Sequence, residues 1–484
     1  MSVSRAAGGL KLLAVFSGLI ALTMAVPLIA ALVLSETEMI RAFAVSIGAI
    51  VCIAAPALIF NRGRKIRFRA SDGFILVFLI WVIACLAGAL PFRLSGFMPR
   101  FTDAVFEAVS GFTTTGITLA ADVEALPRSL LLWRAMTHWL GGMGIVVLTV
   151  ALLPLMGIGG FQLIKAETTG PEKERITPKI TATAKILWLL YIGFTALLCL
   201  LLALGGMSWF DALLHSFSTM ATGGFSSRNA GIAAWRSPFI DWVCFAFMIL
   251  AGLNFSLLYQ IFRGKPRDIL RNSEARAYGF IILAAGIGIA LSLISAGTRP
   301  AEAFRHGFFH SASVLTTTGF TAANYGLWPP LAQGILFTLM LIGGCSGSTA
   351  GGIKVIRYVV LLKQTGNEIK RLIYPRGVFN IQLNKKVGRK DVVYGVAGFV
   401  FLYFVLILAA FFLVSSAGIA PFSSLNLALL TLGNVGLGLG GLIDGSVAAA
   451  CPGYVKWGLC FMMIAGRLEL WTALVIFSPE YWRR

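Results

Sequence analysis

The chain has 484 residues, of which 58% are apolar and only 12% are charged, whereas a soluble globular protein carries about 25% charged residues. This imbalance excludes a soluble enzyme of ordinary composition. The formal net charge of +20 would suggest nucleic-acid binding in a soluble chain, but in a membrane protein it reports orientation. We therefore predict an all-α polytopic membrane protein that binds no nucleic acid.

The charge-free apolar runs are long enough to cross about 30 Å of hydrocarbon as helices. We predict ten spans, at residues 12–34, 42–60, 73–92, 130–157, 185–206, 239–262, 277–297, 329–362, 392–416 and 454–478. An even number of spans puts both termini on the same side of the membrane. Most of the 40 Lys and Arg residues lie on that side, so the positive-inside rule predicts that both termini are cytoplasmic.

Four amphipathic segments on the other side are too short to cross the membrane. They align without a gap, and each has glycine at its sixteenth position: residues 101–117, 209–225, 304–320 and 421–437. In each segment a helix-compatible stretch leads into a patch rich in Ser, Thr, Asn and Gly. Irregular backbone is tolerated at membrane depth only where it is buried in protein or lines a water-filled cavity. The repeat therefore predicts four re-entrant loops around a pore.

Each copy lies between two spans, so the repeating unit is a span, a short helix, a polar loop and a second span. One copy alone would be typical of a turn or a close helix contact, but four ungapped copies on one side favour a pore with pseudo-fourfold symmetry. The predicted organisation is a two-span leader followed by four repeats, at residues 1–65, 66–165, 166–265, 266–375 and 376–484.

The residue types of the loops fit a cation filter. A dehydrated cation needs oxygens in place of water, and converging loops can supply backbone carbonyls without fixed charge. Glycine accepts backbone angles that a residue with a Cβ atom resists. The neighbouring Thr and Asn side chains can bind the loop backbone and hold its shape.

At this point the sequence resembles the Trk/Ktr/HKT superfamily of K⁺ transporters. The resemblance covers nearly the whole chain and rests on the four loops and on the motifs WRAMTHWLGGMGIVVL, LIGGCSGSTAGGIKVIR, GNVGLGLG and GRLE, at residues 133–148, 341–357, 433–440 and 466–469. Within the superfamily the chain is most similar to the bacterial Trk-type potassium uptake membrane subunit, because the two-span leader fits that type. The resemblance implies a multi-pass protein of the bacterial inner membrane. It also implies a homodimer that works with a cytosolic nucleotide-binding (RCK-type, TrkA-like) regulatory subunit.

The resemblance further implies which residues coordinate K⁺. Carried over by position, they are Thr113, Thr114, Thr115, Gly116, Thr222, Gly223, Gly224, Thr316, Thr317, Thr318, Gly319, Gly433, Asn434, Val435 and Gly436. The second loop reads ATGG, which leaves either Gly223 or Gly224 as its filter glycine, and the alignment prefers Gly224. In plant relatives a Ser at the first filter glycine is associated with Na⁺ transport, so Gly116 favours K⁺.

A glycine-rich segment interrupts the predicted eighth span, and its composition breaks a membrane helix. Its ten residues are Gly343, Gly344, Cys345, Ser346, Gly347, Ser348, Thr349, Ala350, Gly351 and Gly352. We interpret it as a loop across the pore beneath the filter, and the resemblance implies that it gates permeation. The alternative is a glycine-lined contact between helices.

Two charged residues, Arg467 and Glu469, lie in the middle of the last predicted span, where a charge costs about 2.5 to 3.5 kcal/mol and is usually functional or paired. One hypothesis places Arg467 below the filter, where it binds the gating loop and acts as a barrier to the ion. The alternative is an internal ion pair with Glu469 or a bond to a neighbouring carbonyl.

Other polar residues have simpler interpretations. Four carboxylates at the predicted outer mouth are expected to be solvated loop charges: Asp103, Glu107, Asp211 and Glu302. Four scattered histidines are expected to make single hydrogen bonds and not to form a metal site: His138, His215, His306 and His310. The basic loop at residues 363–390 can dock a regulatory partner or contact anionic membrane lipids.

The predicted function is K⁺ uptake through a channel-like filter that is gated from the cytoplasm, with K⁺ as the only bound ion and no cofactor in this chain. The alternative is a secondary active transporter, which would be a K⁺/H⁺ or K⁺/Na⁺ symporter or a carrier of an organic solute. A membrane enzyme is not expected, because the sequence shows no catalytic spacing of His, Asp, Glu or Ser. The sequence leaves open whether flow is passive or coupled.

Overall fold

The computed structural model describes residues 3–61, 72–144, 180–384, 386–387, 390–436 and 445–483. The second half of the predicted span 130–157, the end of the motif at 133–148 and residues 437–440 of the motif at 433–440 lie outside these described residues. Within them the fold is mostly helical, which confirms the predicted class.

The helices of the first half, in chain order, are α1 Val3–Val33, α2 Thr37–Phe60, α3 Asp72–Leu94, α4 Phe101–Phe112, α5 Arg128–Gly142, α6 Ile180–Leu204, α7 Trp209–Met220, α8 Pro238–Gly252 and α9 Phe255–Phe262. Those of the second half are α10 Arg267–Arg271, α11 Ser273–Ser295, α12 Pro300–Leu315, α13 Pro330–Met340, α14 Val355–Ile373, α15 Lys390–Ser415, α16 Pro421–Gly433, α17 Gly445–Ala450, α18 Gly453–Arg467, α19 Leu470–Leu474 and α20 Pro479–Trp482. Short 3₁₀ turns lie at Gly231–Trp235, Tyr325–Leu327 and Val475–Phe477.

Six of the described helices are long and apolar enough to cross a membrane. They are α1, α2, α3, α6, α11 and α15. Helices α8 and α9 together pass the same test but meet at a bend of 105°. The protein is therefore a multi-pass membrane protein.

The bend between α8 and α9 corrects the unbroken span that the sequence predicts at 239–262. The side chain of Asn254 accepts a hydrogen bond from the backbone N–H of Ser256 at 2.7 Å and so begins a new helix. The carbonyl of Gly252, at the end of α8, accepts instead from the backbone N–H of Cys345 at 2.9 Å. A contact distant in sequence thus replaces continuation of the helix.

Two other predicted spans are also interrupted. In the predicted span 329–362, α13 ends at Met340 and α14 begins at Val355, with the glycine-rich segment between them. In the predicted span 454–478, α18 ends at Arg467, and Glu469 has a φ of 63° before α19 begins. A left-handed residue ends a helix because it turns the chain away from the helix axis.

The four predicted short helices are present as α4, α7, α12 and α16, which are 12 to 16 residues long. Each packs against the long helix that precedes it in the chain. The packing is close: a methyl group added to Gly88 on α3 would lie 2.4 Å from the ring of Phe112 at the end of α4. Side chains on almost every face of α4 are buried, so these helices lie inside the protein.

The two leader helices pack against each other, and α1 also packs against α3 and α5. Glu36, in the turn between α1 and α2, joins the leader to the start of α5. Its carboxylate accepts from the backbone N–H groups of Arg128 at 2.9 Å and Ser129 at 3.2 Å, and from the Ser129 hydroxyl. These are N–H groups of the first helical turn, which have no partner within the helix.

Replacing Glu36 by alanine is expected to lower the free energy of unfolding by about 1 kcal/mol, as the loss of a helix cap does. The measurement is the thermal unfolding midpoint of the purified protein in detergent. Glu38, an exposed carboxylate in the first turn of α2, provides the control. An equal loss of stability in Glu38→Ala would show that the cap is not the cause.

One element departs from the all-α expectation. Residues Gln382–Leu383 (β1) and Lys386–Val387 (β2) form a two-stranded antiparallel hairpin. Asn384 has a φ of 49°, which suits a tight hairpin turn. Its side chain accepts from the backbone N–H of Ser273 at 2.9 Å, so the hairpin is attached to the start of α11.

Candidate ion filter and gate

The four loops that follow the short helices share one backbone turn. The fourteenth residue of every aligned segment has a left-handed backbone, with φ values of 55°, 55°, 59° and 52° at Thr114, Thr222, Thr317 and Asn434. This conformation is uncommon for any residue with a Cβ atom, and most of all for a β-branched residue such as threonine. Such strain persists only where the surrounding structure holds it in place.

The glycines at the sixteenth position follow the same pattern in three copies. Their φ values are 84°, 85° and 80° at Gly116, Gly224 and Gly319, while Gly436 lies outside the left-handed region. In the second copy Gly224, and not Gly223, therefore has the conformation of Gly116. The backbone angles therefore agree with the sequence alignment, which places Gly224 at the position of Gly116.

Backbone hydrogen bonds hold each turn against the end of its helix. In three copies the N–H at the fifteenth position donates to the carbonyl at the tenth, from Thr115 to Ser110 at 2.9 Å, from Gly223 to Ser218 at 2.9 Å and from Val435 to Leu430 at 3.0 Å. In the remaining copy Gly319 donates to Ser313 at 3.1 Å.

The loops also contact one another, with the glycine of one loop packed against a backbone carbonyl of another. A methyl group added to Gly116 would lie 2.0 Å from the carbonyl oxygen of Gly223, and one added to Gly224 would lie 2.1 Å from that of Thr318. One added to Gly436 would lie 2.9 Å from the carbonyl oxygen of Thr115. In each of these three cases the glycine of one loop lies against the fifteenth residue of another, so that the first loop contacts the second, the second contacts the third and the fourth contacts the first.

Threonine and asparagine side chains fill the space behind the loops, and all of them are fully buried. The hydroxyls of Thr113 and Thr115 lie 2.8 Å apart, and those of Thr316 and Thr318 lie 2.7 Å apart. Asn434 donates to the Thr115 hydroxyl at 3.0 Å and to a carbonyl of α18 at 2.9 Å. The fourth loop is thereby bonded to the first.

A cavity of about 130 Å³ lies on the side of the residues that follow the filter glycines. Gly116, Gly224 and Gly319 line it. At its rim Asn229 joins the first two loops, because its side chain accepts from the N–H of Val123 at 2.9 Å and donates to Asp122 at 2.7 Å. This hydrogen bond lowers the pKa of the exposed Asp122 carboxyl.

The glycine-rich segment at residues 343–352 lies against the other side of the loops. The Thr349 hydroxyl donates to the carbonyl of Met220 at 3.0 Å, and the Gly351 N–H donates to the Thr317 hydroxyl at 2.7 Å. A methyl group added to Gly351 would lie 2.5 Å from the carbonyl oxygen of Gly433. The segment thus contacts the second, third and fourth loops at once.

The same segment is fastened on its far side by the break between α8 and α9. The N–H of Thr349 donates to the Ala251 carbonyl at 3.3 Å, and the N–H of Phe255 donates to the Gly347 carbonyl at 3.1 Å. Glu274, in the first turn of α11, accepts from the backbone N–H groups of Ser346 at 2.7 Å and Ile356 at 3.2 Å. One buried carboxylate therefore ties the glycine-rich segment and the start of α14 to the start of α11.

Sequence reasoning did not single out Glu274 or Asn254. A carboxylate in the first turn of a helix is usually explained by the helix dipole, and its bonds to residues more than 70 positions away leave no local pattern. Asn is a strong N-cap residue, so Asn254 could have indicated the start of a helix. It lies within a long apolar run, however, and that run predicts an unbroken span.

Arg467 bridges the glycine-rich segment and the end of α5. Its guanidinium donates to the carbonyl of Thr349 at 2.5 Å and to those of Gly141 and Gly142 at 2.8 and 2.9 Å. Glu469 forms an ion pair with Arg357, whose guanidinium carbon lies 3.6 Å from the centre of the Phe399 ring. The two charges of the last span thus have different partners: Arg467 binds backbone carbonyls of the glycine-rich segment and of α5, and Glu469 pairs with Arg357.

The expectation of solvated carboxylates is wrong for Glu107 and Asp211, and it also fails for Asp103, which is partly buried and pairs with the buried Lys456 at 2.7 Å. Glu107 is 0% exposed and pairs with Arg134 at 2.9 Å. Asp211 is 8% exposed and accepts from the hydroxyl of Ser208 at 2.8 Å and from that of Ser227. The alignment contained a signal for Glu107, because its position, the seventh, is occupied by histidine in the next two copies.

Together these features define a multi-pass membrane protein of the ion-transport class, built around four converging glycine loops. A family model described as "TrkH: Cation transport protein" matches residues 41–283 and 280–484, and the chain belongs to this family. This confirms the resemblance to the Trk type.

Curated relatives and a solved structure agree with this assignment. The Trk system potassium uptake protein TrkH of Halomonas elongata is 38% identical over 98% of this chain and 99% of its own length. The protein of the same name from Escherichia coli K12 is 36% identical over 100% and 99%. The crystal structure of the potassium transporter TrkH from Vibrio parahaemolyticus matches with a TM-score of 0.87 at 33% identity, covering 99% of this chain and 100% of that one.

Proposed function

We propose that this protein carries K⁺ into the bacterial cell across the inner membrane, through a pore formed by its four loops. The observation that carries the proposal is the contact of each of three filter glycines with a carbonyl of the next loop, because a ring of carbonyls is what a dehydrated cation needs. The relatives named as potassium uptake proteins support K⁺ as the ion.

The proposed architecture has ten spans, with the leader at residues 1–65, four repeats around a pseudo-fourfold axis and both termini in the cytoplasm. Four short helices that end in one shared turn support the repeats. The contacts of the first loop with the second, of the second with the third and of the fourth with the first support a common axis.

In the proposed filter, K⁺ is held by backbone oxygens of residues 113–116, 222–224, 316–319 and 433–436. All of these residues are uncharged, so binding depends on carbonyl dipoles and on their spacing. The buried Thr and Asn side chains behind the loops hold that spacing.

In the proposed gate, the segment 343–352 blocks the pore beneath the filter and Arg467 holds it there. The segment contains Gly, Ser, Thr, Ala and Cys only, so it can move with little steric hindrance.

A homodimer that is controlled by a cytosolic nucleotide-binding subunit completes the proposal. The basic segment at 363–390 and its hairpin support a cytoplasmic docking surface, since Asn384 connects the hairpin to the helix that carries Glu274.

The deciding experiment compares K⁺ and Na⁺ flux in proteoliposomes at a defined membrane potential. With an outward cation gradient and a protonophore, cation efflux drives proton entry, which a pH-sensitive dye reports. We expect flux with K⁺ to be at least about tenfold faster than with Na⁺, since a carbonyl ring discriminates between the two ions. Flux no faster than in protein-free liposomes, or equal flux of both ions, would contradict the proposal. Flux that requires a proton or Na⁺ gradient would identify a symporter instead.

A further inference from the structure

The seventh position of the aligned segments lies on the short helix, well before the filter residues. Three copies have a polar side chain there, and the fourth has an apolar one: Glu107, His215, His310 and Leu427. All four side chains are fully buried. A buried polar side chain needs a partner, since an unmade hydrogen bond is unfavourable in the protein interior.

In all three polar copies the partner lies two or three residues beyond the filter glycine. Glu107 accepts from the Thr118 hydroxyl at 2.8 Å and from the Leu119 N–H at 2.9 Å. We call residues 117–119, 225–226 and 320–322 the post-filter segments.

The histidines make the equivalent contacts. A ring nitrogen of His215 lies 2.9 Å from the Ser226 hydroxyl, and one of His310 lies 3.4 Å from the N–H of Ala322. The other ring nitrogen of each histidine is bonded to a carbonyl one turn earlier in its own helix, at 2.8 and 2.9 Å. Each ring is therefore fixed at both ends.

The first copy differs because its seventh residue is charged and reaches a second loop. Glu107 pairs with Arg134 of α5 at 2.9 Å. The Arg134 guanidinium carbon lies 4.0 Å from the centre of the Phe225 ring, and His138, one turn further along α5, stacks on the same ring at 4.0 Å. Phe225 directly follows the filter glycine Gly224.

We propose that Glu107, His215 and His310 are positioning residues for ion selectivity, which tie each post-filter segment to its short helix and so set the spacing of the filter carbonyls. The Glu107–Arg134 pair additionally joins the first filter loop to the second. This inference rests on the proposed K⁺ filter. It adds residues that touch neither the ion nor the filter carbonyls.

The physical argument is one of geometry. A filter loop is held at one end by its helix, where the shared turn begins, and the tether from the seventh position helps to hold its other end. K⁺ and Na⁺ differ in radius, so discrimination depends on how closely the carbonyls keep their positions and number. A loop tied at both ends resists collapse around the smaller ion.

The test is the ratio of Na⁺ to K⁺ flux, measured in the same proteoliposomes from the full-length chain. A ratio does not depend on how much of the protein is folded. Glu107→Gln is expected to raise it about tenfold, which corresponds to the loss of a charge-assisted hydrogen bond. Thr118→Val removes the bond from the Thr118 hydroxyl to the Glu107 carboxylate and the bond that this hydroxyl accepts from the Ala120 N–H. Ser226→Ala removes the bonds of the Ser226 hydroxyl to His215 and to the Arg228 N–H. Each variant is expected to raise the flux ratio about threefold.

Asp103→Asn is the matched control. Asp103 lies on the same short helix and pairs with the buried Lys456 at 2.7 Å, but this pair does not touch a post-filter segment. Loss of that ion pair is expected to leave the flux ratio at the wild-type value. An increase equal to that of Glu107→Gln would mean that any buried charge loss disturbs selectivity, and it would overturn the proposal.

Two further outcomes decide the matter. A folded Glu107→Gln protein with the wild-type ratio overturns the proposal. If that variant does not fold, Thr118→Val and Ser226→Ala decide instead, and wild-type ratios in both overturn it. Equal K⁺ and Na⁺ flux through the wild-type protein would contradict the proposed function itself. Because the wild-type protein is measured first, this outcome is distinguished from a failure of the present proposal.

Discussion

Replacing Gly116 by alanine is expected to reduce K⁺ flux by about 100-fold or more, because displacement of a binding atom by 1 Å can have an effect of that size. The added methyl group would lie 2.0 Å from the carbonyl oxygen of Gly223, so that oxygen must move. The residue would also have to keep a φ of 84°, which a Cβ atom disfavours. Flux is measured in proteoliposomes with a K⁺ gradient.

Gly96 is a control matched in backbone conformation. Its φ is 80°, and nothing lies within 4 Å of an added methyl group. Gly96→Ala therefore introduces the same backbone strain, about 1 to 2 kcal/mol, without a clash. We expect it to lower stability and leave flux per folded molecule unchanged. Equal flux in Gly116→Ala and Gly96→Ala would remove Gly116 from the filter.

The second large effect is expected at Arg467. Replacing Arg467 by alanine removes three hydrogen bonds, one to the glycine-rich segment of the proposed gate and two to the end of α5. It also removes a positive charge beside the proposed cation path. We expect K⁺ flux to rise about tenfold or more in the absence of any regulatory partner, since hydrogen bonds from charged groups contribute about 1.5 to 3 kcal/mol each.

Arg371→Ala is the control for loss of a cation, because Arg371 forms an exposed pair with Glu368 on α14. Both variants are first compared by elution profile and thermal unfolding. Unchanged K⁺ flux in a well-folded Arg467→Ala protein would leave Arg467 with a structural role only.

The four similar loops were predictable from the sequence because their signal is local and repeated. Glycine at the sixteenth position of four segments predicts loops of one shape, and the left-handed residues at Thr114, Thr222, Thr317 and Asn434 show that shape. The choice between Gly223 and Gly224 needed the backbone angles, since two adjacent glycines are equivalent in composition.

The charged residues were the hardest to interpret. Glu107 has the local sequence context of a solvated carboxylate on an amphipathic helix, and its burial against Arg134 shows that it is not one. For Glu469 the sequence offered Arg467 as the nearest opposite charge, whereas the folded chain pairs it with Arg357, 112 residues away. Charge pairing in a membrane protein follows proximity in space.

The sequence by itself determined that this protein is a helical membrane protein with four like loops, because length, apolar composition and glycine spacing are properties of short stretches of chain. Tertiary structure alone decided which carbonyl lies against which glycine, how Glu274 fastens the glycine-rich segment and where α8 ends. Those features depend on contacts between distant residues, such as the bond between Asn434 and Thr115, which are 319 positions apart. Such contacts form only when the packed helices bring both partners to one place.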